Sequence, residues 1–269
     1  MGTSYIAPTA QGTGDGSSAA NAYAYSSLSS AESDAGSGGT ILFTDGNYSI
    51  TSNISWDADG VTYKSLNRFG AKILGGAANK ELIISSASNA IGSVVSGFYF
   101  EDFRFEILAA LDATAVYADQ PKLQYCKVVH TVDTPAVPVI SGVLGINDLA
   151  AIEFCEFCVR LTGNRPFGYT QGMTMKNCSI FFDMANTTGF TQRADAIFTF
   201  DNCIFSTNDN TKVGQKYSNS STNCCFHNMG TTNDTGGTDN FYGDPLYVDP
   251  ASDLRLRPSS PCIGAGPTS

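Results

Sequence analysis

The chain carries a spacing that neither an α-helix nor an ordinary strand produces. Phe98, Phe100, Phe103 and Phe105 are apolar at i, i+2, i+5 and i+7; Met173, Met175, Cys178 and Ile180 repeat it, as do Phe198, Phe200, Cys203 and Phe205. Leu123, Cys126 and Val128 fill its last three places, and so do Ile152, Cys155 and Phe157. A strand turns every second side chain to one face, which gives i, i+2, i+4, i+6. The extra residue reads as two short strands with a tight bend between them, both facing one core. The bends hold Glu101-Asp102, Lys176-Asn177 and Asp201-Asn202, with Thr222-Asn223 before Cys224 as a degenerate copy. Asn and Asp reach the left-handed conformation of a tight corner because their short polar side chains bond locally. Gln124-Tyr125 and Glu153-Phe154 depart from that rule.

Counted at the residue after the bend, the marks fall at 103, 126, 155, 178, 203 and 224, at intervals of 23, 29, 23, 25 and 21. A unit of this size signals a solenoid, propeller or array. Each unit holds short strands and leaves no room for a helix, so the spacing predicts an all-β, single-stranded parallel β-helix of roughly 21–29 residues per coil. Coils in such a stack lie about 4.8 Å apart. Cys126, Cys155, Cys178, Cys203 and Cys224 then become a ladder of inward thiols. A disulfide wants Cβ atoms about 3.8 Å apart, so parallel side chains one coil apart suit packing better than bonding. Most of the eight cysteines are therefore expected as free thiols. Cys155-x-x-Cys158 has the spacing of half a zinc site or a redox pair as well as of plain buried thiols; no second C-x-x-C accompanies it, and the two histidines are His130 and His227.

Ahead of the repeat lie weaker strand bursts at Thr40 to Phe43, Val61 to Tyr63, Ile73-Leu74 and Leu82 to Ile84, separated by breaks such as Gly36-Ser37-Gly38-Gly39. They read as earlier coils. The best helix runs from Leu28 to Ala35, with Ser26 or Ser27 as N-cap and Gly36 just past its end. No composition shift marks a boundary, so one domain is expected: a cap over 1–39, coils over 40–240, and a last coil with C-terminal cap over 241–269. Charged residues are 15% of the 269, below the usual ~25%, and 29 Tyr and Phe supply ample apolar surface, which excludes a disordered chain. The net charge of −10 argues against nucleic acid or an anionic membrane as the main partner, since both need a basic face. No apolar run approaches the ~18 residues of a membrane span. Met1-Gly2-Thr3-Ser4 has neither a cationic start nor an apolar stretch behind it, so the expectation is a protein made in the cytosol without a secretory signal.

The ends of the chain carry a resemblance. Tyr5-Ile6-Ala7-Pro8, then Gly12-Thr13-Gly14-Asp15-Gly16, the short helix, Gly38-Gly39-Thr40-Ile41-Leu42-Phe43 and Asp45-Gly46-Asn47-Tyr48 resemble the opening of right-handed parallel β-helix proteins of the pectate-lyase-like superfamily. In that family the short helix plugs the N-terminal end of the stack. Asp244-Pro245-Leu246-Tyr247-Val248-Asp249-Pro250, Asp253-Leu254-Arg255-Leu256 and Ser260-Pro261-Cys262-Ile263-Gly264-Ala265-Gly266 resemble its final coil. The likeness covers most of the chain and implies the fold, but that fold hosts lyases, hydrolases, esterases and non-enzymatic virus parts.

The family's catalytic motifs do not carry over. Its lyases show patterns such as W-x-D-H and R-x-P-x-x-R, whereas Trp56 is followed by Asp57-Ala58-Asp59 and Arg165-Pro166 lacks flanking arginines. The N-T-D, G-H-G and R-x-K patterns of the polygalacturonase-like hydrolases do not occur, nor do the motifs of the methylesterases. Generic carboxylate pairs remain, because glycoside hydrolysis needs only two acids about 5–9.5 Å apart. If the chain is an enzyme, the candidates are Asp102, Glu153, Glu156, Asp183 and Asp201, with Asp183 and Asp201 able to approach between coils. At corners, such acids equally serve to satisfy backbone groups. Asp57-Ala58-Asp59-Gly60 lacks the later ligands of a calcium loop and reads as a turn; Asp15-Gly16 and Asp45-Gly46 invite the same comparison. His130 fits a strand end or a general base, and His227 lies beside Cys224-Cys225 without the two further ligands zinc would need. No cofactor or metal is expected.

Two function classes follow, with a non-catalytic glycan-binding module as a third reading that sequence does not separate from the first. The resemblance, with the missing signal and missing motifs, implies a surface protein of a bacteriophage particle, a capsid decoration or small tailspike-like spike. Its expected partners are other virion proteins, two further copies in a homotrimer and cell-surface polysaccharide, and its expected location is the virion surface. The alternative is a polysaccharide lyase or glycoside hydrolase; the negative charge disfavours an acidic polymer as its substrate.

Overall fold

The structure, a computed structural model, describes residues 1–56, 58–76, 80–85, 92–108, 121–130, 140–141, 150–162, 168–169, 171–186, 197–208, 220–228 and 237–265. Three sheets of ten, nine and five described strands are built entirely from parallel pairs, with each strand hydrogen-bonded to its counterpart one coil away. This is a parallel β-solenoid. In the first sheet, Ile41, Tyr63, Val95, Leu123, Ile152, Met175 and Phe200 stand opposite one another in register. In the second, Ile73, Phe100, Val128, Phe157, Ile180, Phe205 and Phe226 do the same. Both columns point inward and are buried, so stacking like against like fills the interior as a single core. The side chains of Met173 and Phe198, which open two of the sequence bursts, lie outside the described set.

The bends are single left-handed residues. Tyr125, Phe154, Asn177, Asn202 and Asn223 have φ between 52° and 55° and join the first sheet to the second. Each keeps the ladder going through its own amide: Tyr125 N–H donates to the Glu153 carbonyl at 3.0 Å, Phe154 to Lys176 at 2.9 Å and Asn177 to Asp201 at 3.0 Å. Tyr125 and Phe154 therefore adopt the corner without the expected Asn or Asp. Their rings stack outside it with centroids 4.9 Å apart and planes at 7°, which offsets the left-handed cost. Asn177 and Asn202 make the polar version of the same contact, Asn202 Nδ2 donating to Asn177 Oδ1 at 2.7 Å.

One expectation is corrected. Asp102, at φ 57°, is a left-handed corner, but it joins the second sheet to the third, because Tyr99–Glu101 pairs with Lys127–Val129 and Phe103–Leu108 pairs with Lys80–Ser85. The coil that carries it turns from the first sheet at Gly97, φ 81°, whose N–H reaches the Gln124 carbonyl. The residue in line with Cys126 is thus Phe98, and the first repeat spans 28 residues rather than 23. Both corners obey the same spacing, and sequence alone does not tell them apart.

The N-terminal helix runs over Leu28–Ala35 with Ser27 as N-cap and Gly36 beyond its end at φ 64°. Its buried Ala31 and Ala35 join the core, and its Glu32 accepts from Tyr63 Oη at 2.6 Å, fixing it over the first coils. The stack starts before residue 40, since Thr3–Ala7 pairs with Thr40–Phe43 in the first sheet.

At the other end the chain doubles back. Tyr247–Asp249 and Asp253–Leu256 form an antiparallel hairpin. Tyr247 and Leu254 pack on Val129, Cys158 and Phe181, which point outward from the second sheet, and bury a second small core. The runs Val128-Val129, Phe157-Cys158-Val159 and Ile180-Phe181-Phe182 do not alternate because both faces of this sheet are covered, one by the solenoid interior and one by this arm.

Candidate functional site

The arm creates the site. Between the ends of the second-sheet strands and residues 244–257 lies a cleft of about 320 Å³. His227 reaches it from the strand Cys225–His227, in line with Ser206 and one position before the left-handed Asn228. Asp244 faces it from the arm, its Oδ1 4.0 Å from His227 Nε2 and 2.8 Å from the Leu246 amide that donates to it. Leu246 is left-handed at φ 51°, which turns the chain into the hairpin. Arg257 N–H donates to the Leu246 carbonyl and its guanidinium to the Val248 carbonyl at 3.2 Å, tying the two strands of the arm.

Floor and rim differ in chemistry. Phe181, Pro245 and Tyr247 make an apolar floor. The Tyr247 phenol sits buried beside Ser206 and Ser179, and burial pushes its pKa up. The rim carries Thr207, Asn208, Asn228, His227, Asp244 and Arg257. Asn228 Nδ2 donates to the Thr207 carbonyl at 3.1 Å, and Asn208 Nδ2 donates to Asp183 Oδ1 at 2.7 Å. A few polar groups of both signs around an apolar floor suit a hydroxylated ring, with its C–H face on the aromatics and its hydroxyls on the rim.

The five candidate acids are not brought together. Asp183 reaches the rim through Asn208 and also lies 3.7 Å from Arg160. Asp201 ends a strand of the first sheet and stands in line with Lys176, which stands in line with Glu153; the expected approach of Asp183 to Asp201 therefore does not occur, because the corner sends them to different sheets. Glu153 accepts from Gln124 Nε2 at 2.8 Å. Glu156, across the Phe154 corner, lies 3.4 Å from Lys127 Nζ and 4.0 Å from Arg68. Lys127 also donates to the Ser252 carbonyl and so anchors the hairpin.

Asp102 is buried at 3% exposure with His130 at 5% on the next coil. The His130 amide donates to the Cys158 carbonyl at 2.9 Å, and neither ring nitrogen reaches hydrogen-bond geometry with a described residue. Burial pulls the His130 pKa down to about 4, against the opposing pull of Asp102 and the Phe103 backbone. His130 stands at the end of the strand Lys127–Val129, as the sequence implied, but its ring is held neutral at depth and packs inside rather than decorating the surface.

The cysteine readings separate by face. Cys126, Cys155, Cys178, Cys203 and Cys224 are buried inside at 0–1% exposure, each just after a corner. Each Sγ lies against the carbonyl two residues earlier, at 3.2 Å for Cys178 to Lys176 and 3.3 Å for Cys155 to Glu153. Cys158 points the other way, under the arm, where burial raises its thiol to about 12. Cys155 and Cys158 therefore cannot share a metal. Among the described residues no three His, Cys, Asp or Glu side chains gather at metal-binding distance. Asp15 accepts from Thr13 and from the Ser17 amide, and Asp59 from Ser37, as turn residues do. Asp57 and Arg165-Pro166 lie outside the described residues.

The sequence singled out His227 but not Asp244, Arg257, Thr207 or Asn228. Their convergence depends on the arm folding back over the second sheet. The available signal was the unbroken apolar runs of that sheet, which require a cover, together with Tyr247, Leu254 and Leu256 downstream.

No protein-family model matches the chain, and no curated protein matches its sequence. Among solved structures, the pectate lyase Pel9A superimposes on 100% of this chain and 92% of its own at a TM-score of 0.45 and 12% identity.

Proposed function

We propose that this chain is a non-catalytic β-helical surface component of a bacteriophage particle, a decoration or small spike, that contacts neutral cell-surface glycan through the cleft under its C-terminal arm. The observation that carries the reading is the dispersal of the acids. Asp102, Glu153, Glu156, Asp183 and Asp201 are spread over separate strands and corners, and Glu153, Glu156 and Asp183 have close polar or charged partners. The cleft offers an aromatic floor and a mixed polar rim, a surface for holding a sugar. A net charge of −10 favours a neutral glycan over an acidic one. Assembly as a homotrimer beside other virion proteins belongs to the same proposal. It is tested by quantitative mass spectrometry of purified particles: a fixed copy number per particle is expected, and absence from particles overturns it.

A second reading has one specific observation behind it. His227 and Asp244 stand 4.0 Å apart beside Arg257, an acid–base pair within one small closure of hydrogen-bond distance. A polysaccharide lyase or glycoside hydrolase would use that pair, with Asp183 behind Asn208 as a further acid at the rim.

A further inference from the structure

Two of the eight thiols are arranged unlike the others. Cys225 points outward from the last full coil of the second sheet, and its Sγ lies 3.3 Å from the Gly243 carbonyl. Cys262 sits in the turn that ends the arm, its amide donating to Ser260 Oγ at 3.1 Å. Both thiols border one open cleft of about 200 Å³ between the Asn corners and the end of the arm. Cys262 is half-buried, whereas the other seven are buried. In the interior column the side chains are parallel and one coil apart, whereas Cys225 enters the cleft from the sheet and Cys262 from the turn that ends the arm.

We propose that Cys225 and Cys262 are a redox-active dithiol that exchanges with low-molecular-weight disulfides and closes into a disulfide, clasping the C-terminal arm to the solenoid. Cys262 is the attacking sulfur, being reachable through the cleft. The neighbouring Cys225 thiol holds Cys262 below the usual thiol range, and Cys262 together with burial pushes Cys225 up. With oxidised glutathione as the oxidant, the Cys262 thiolate attacks one glutathione sulfur, forming a mixed disulfide and expelling one glutathione thiolate. Cys225 then gives up its proton and attacks Cys262 Sγ, expelling the second. Two protein thiols are oxidised, one glutathione disulfide is reduced, and two glutathione thiols leave.

The consequence follows from what the arm covers. Residues 244–257 form one wall of the cleft that holds His227, so closing the clasp fixes that wall. A chain folded in a reducing cytoplasm would carry the clasp open and close it on release. That consequence rests on the proposed particle function; the clasp itself does not, and it is read chemically without any glycan.

The test uses the full chain, folded by circular dichroism, incubated with oxidised glutathione at pH 8, blocked with N-ethylmaleimide and mapped without reduction. The expected result is a monomer lighter by two hydrogens with Cys225 linked to Cys262, and the five interior thiols alkylated only after unfolding. Cys225→Ser should stop at one glutathione on Cys262, and Cys262→Ser should take up none. Trypsin cleavage after Arg255 should slow at least fivefold in the oxidised wild type and in neither variant. A folded wild type that keeps all eight thiols alkylatable, stalls at glutathionylated Cys262, or links Cys225 elsewhere overturns the proposal. The wild-type map decides the matter even if a variant fails to fold.

Discussion

Replacing Asn177 by alanine isolates the energetic logic of the corners. Asn177 holds φ at 54°, its amide donates to the Asp201 carbonyl at 3.0 Å, and its Oδ1 accepts from Asn202 at 2.7 Å. Alanine keeps the amide bond but must enter the left-handed region, at about 1–2 kcal/mol. It also loses the side-chain bond, worth about 0.5 kcal/mol at an exposed edge. The sum is about 1.5–2.5 kcal/mol. Glycine loses the same bond without the left-handed cost, and frees the unfolded chain by about 0.5 kcal/mol, for about 1 kcal/mol in all. Native-state hydrogen exchange at the amides of residues 177 and 202 reads the local free energy directly. At about 1.4 kcal/mol per tenfold, exchange should quicken about tenfold or more in Asn177→Ala and about fivefold in Asn177→Gly. Equal rates in the two variants, or slower exchange with alanine, would refute the left-handed corner as the element that sets the coil.

Phe100→Ala should cost about 3–5 kcal/mol in denaturant unfolding, since the ring meets Phe105 edge-on at 5.0 Å and Phe103 at 5.9 Å in a fully buried stack. His130 gives a pH signature: its pKa is about 4 in the fold against 6.5 free, so the unfolded chain binds the extra proton between those values and stability falls as pH drops from 6.5 towards 4. The full effect is roughly 3 kcal/mol, and thermal melts of His130→Leu should show a flatter slope across that window. A thiol titration of the native reduced chain should find Cys262 reacting first, with the interior column silent until denaturant is added.

The solenoid was legible because its code is local. One left-handed residue between two pairs of inward side chains leaves the spacing i, i+2, i+5, i+7, and the strands and helix follow from it. Assigning a corner to a particular edge was not legible: Asp102 and Asn177 carry the same spacing but turn between different sheets, and only pairing with Lys127–Val129 separates them. Tyr125 and Phe154 broke the Asn/Asp rule because the compensation, a ring stack across 29 residues of chain, is a contact between coils. The cleft lies furthest from local reading. His227 and Asp244 meet only because an arm of mixed apolar and charged residues folds back on a sheet whose outer face is apolar.

Recognition without cleavage is open to a direct experiment. A broad panel of neutral and acidic polysaccharides is incubated with the protein, with affinity electrophoresis reading retention and paired assays reading new reducing ends and unsaturated products. Retention on a neutral glycan is expected, weakened at least tenfold by His227→Ala or Asp244→Asn, with no product of either kind. Products that disappear in those two variants would contradict it and make the cleft an active site.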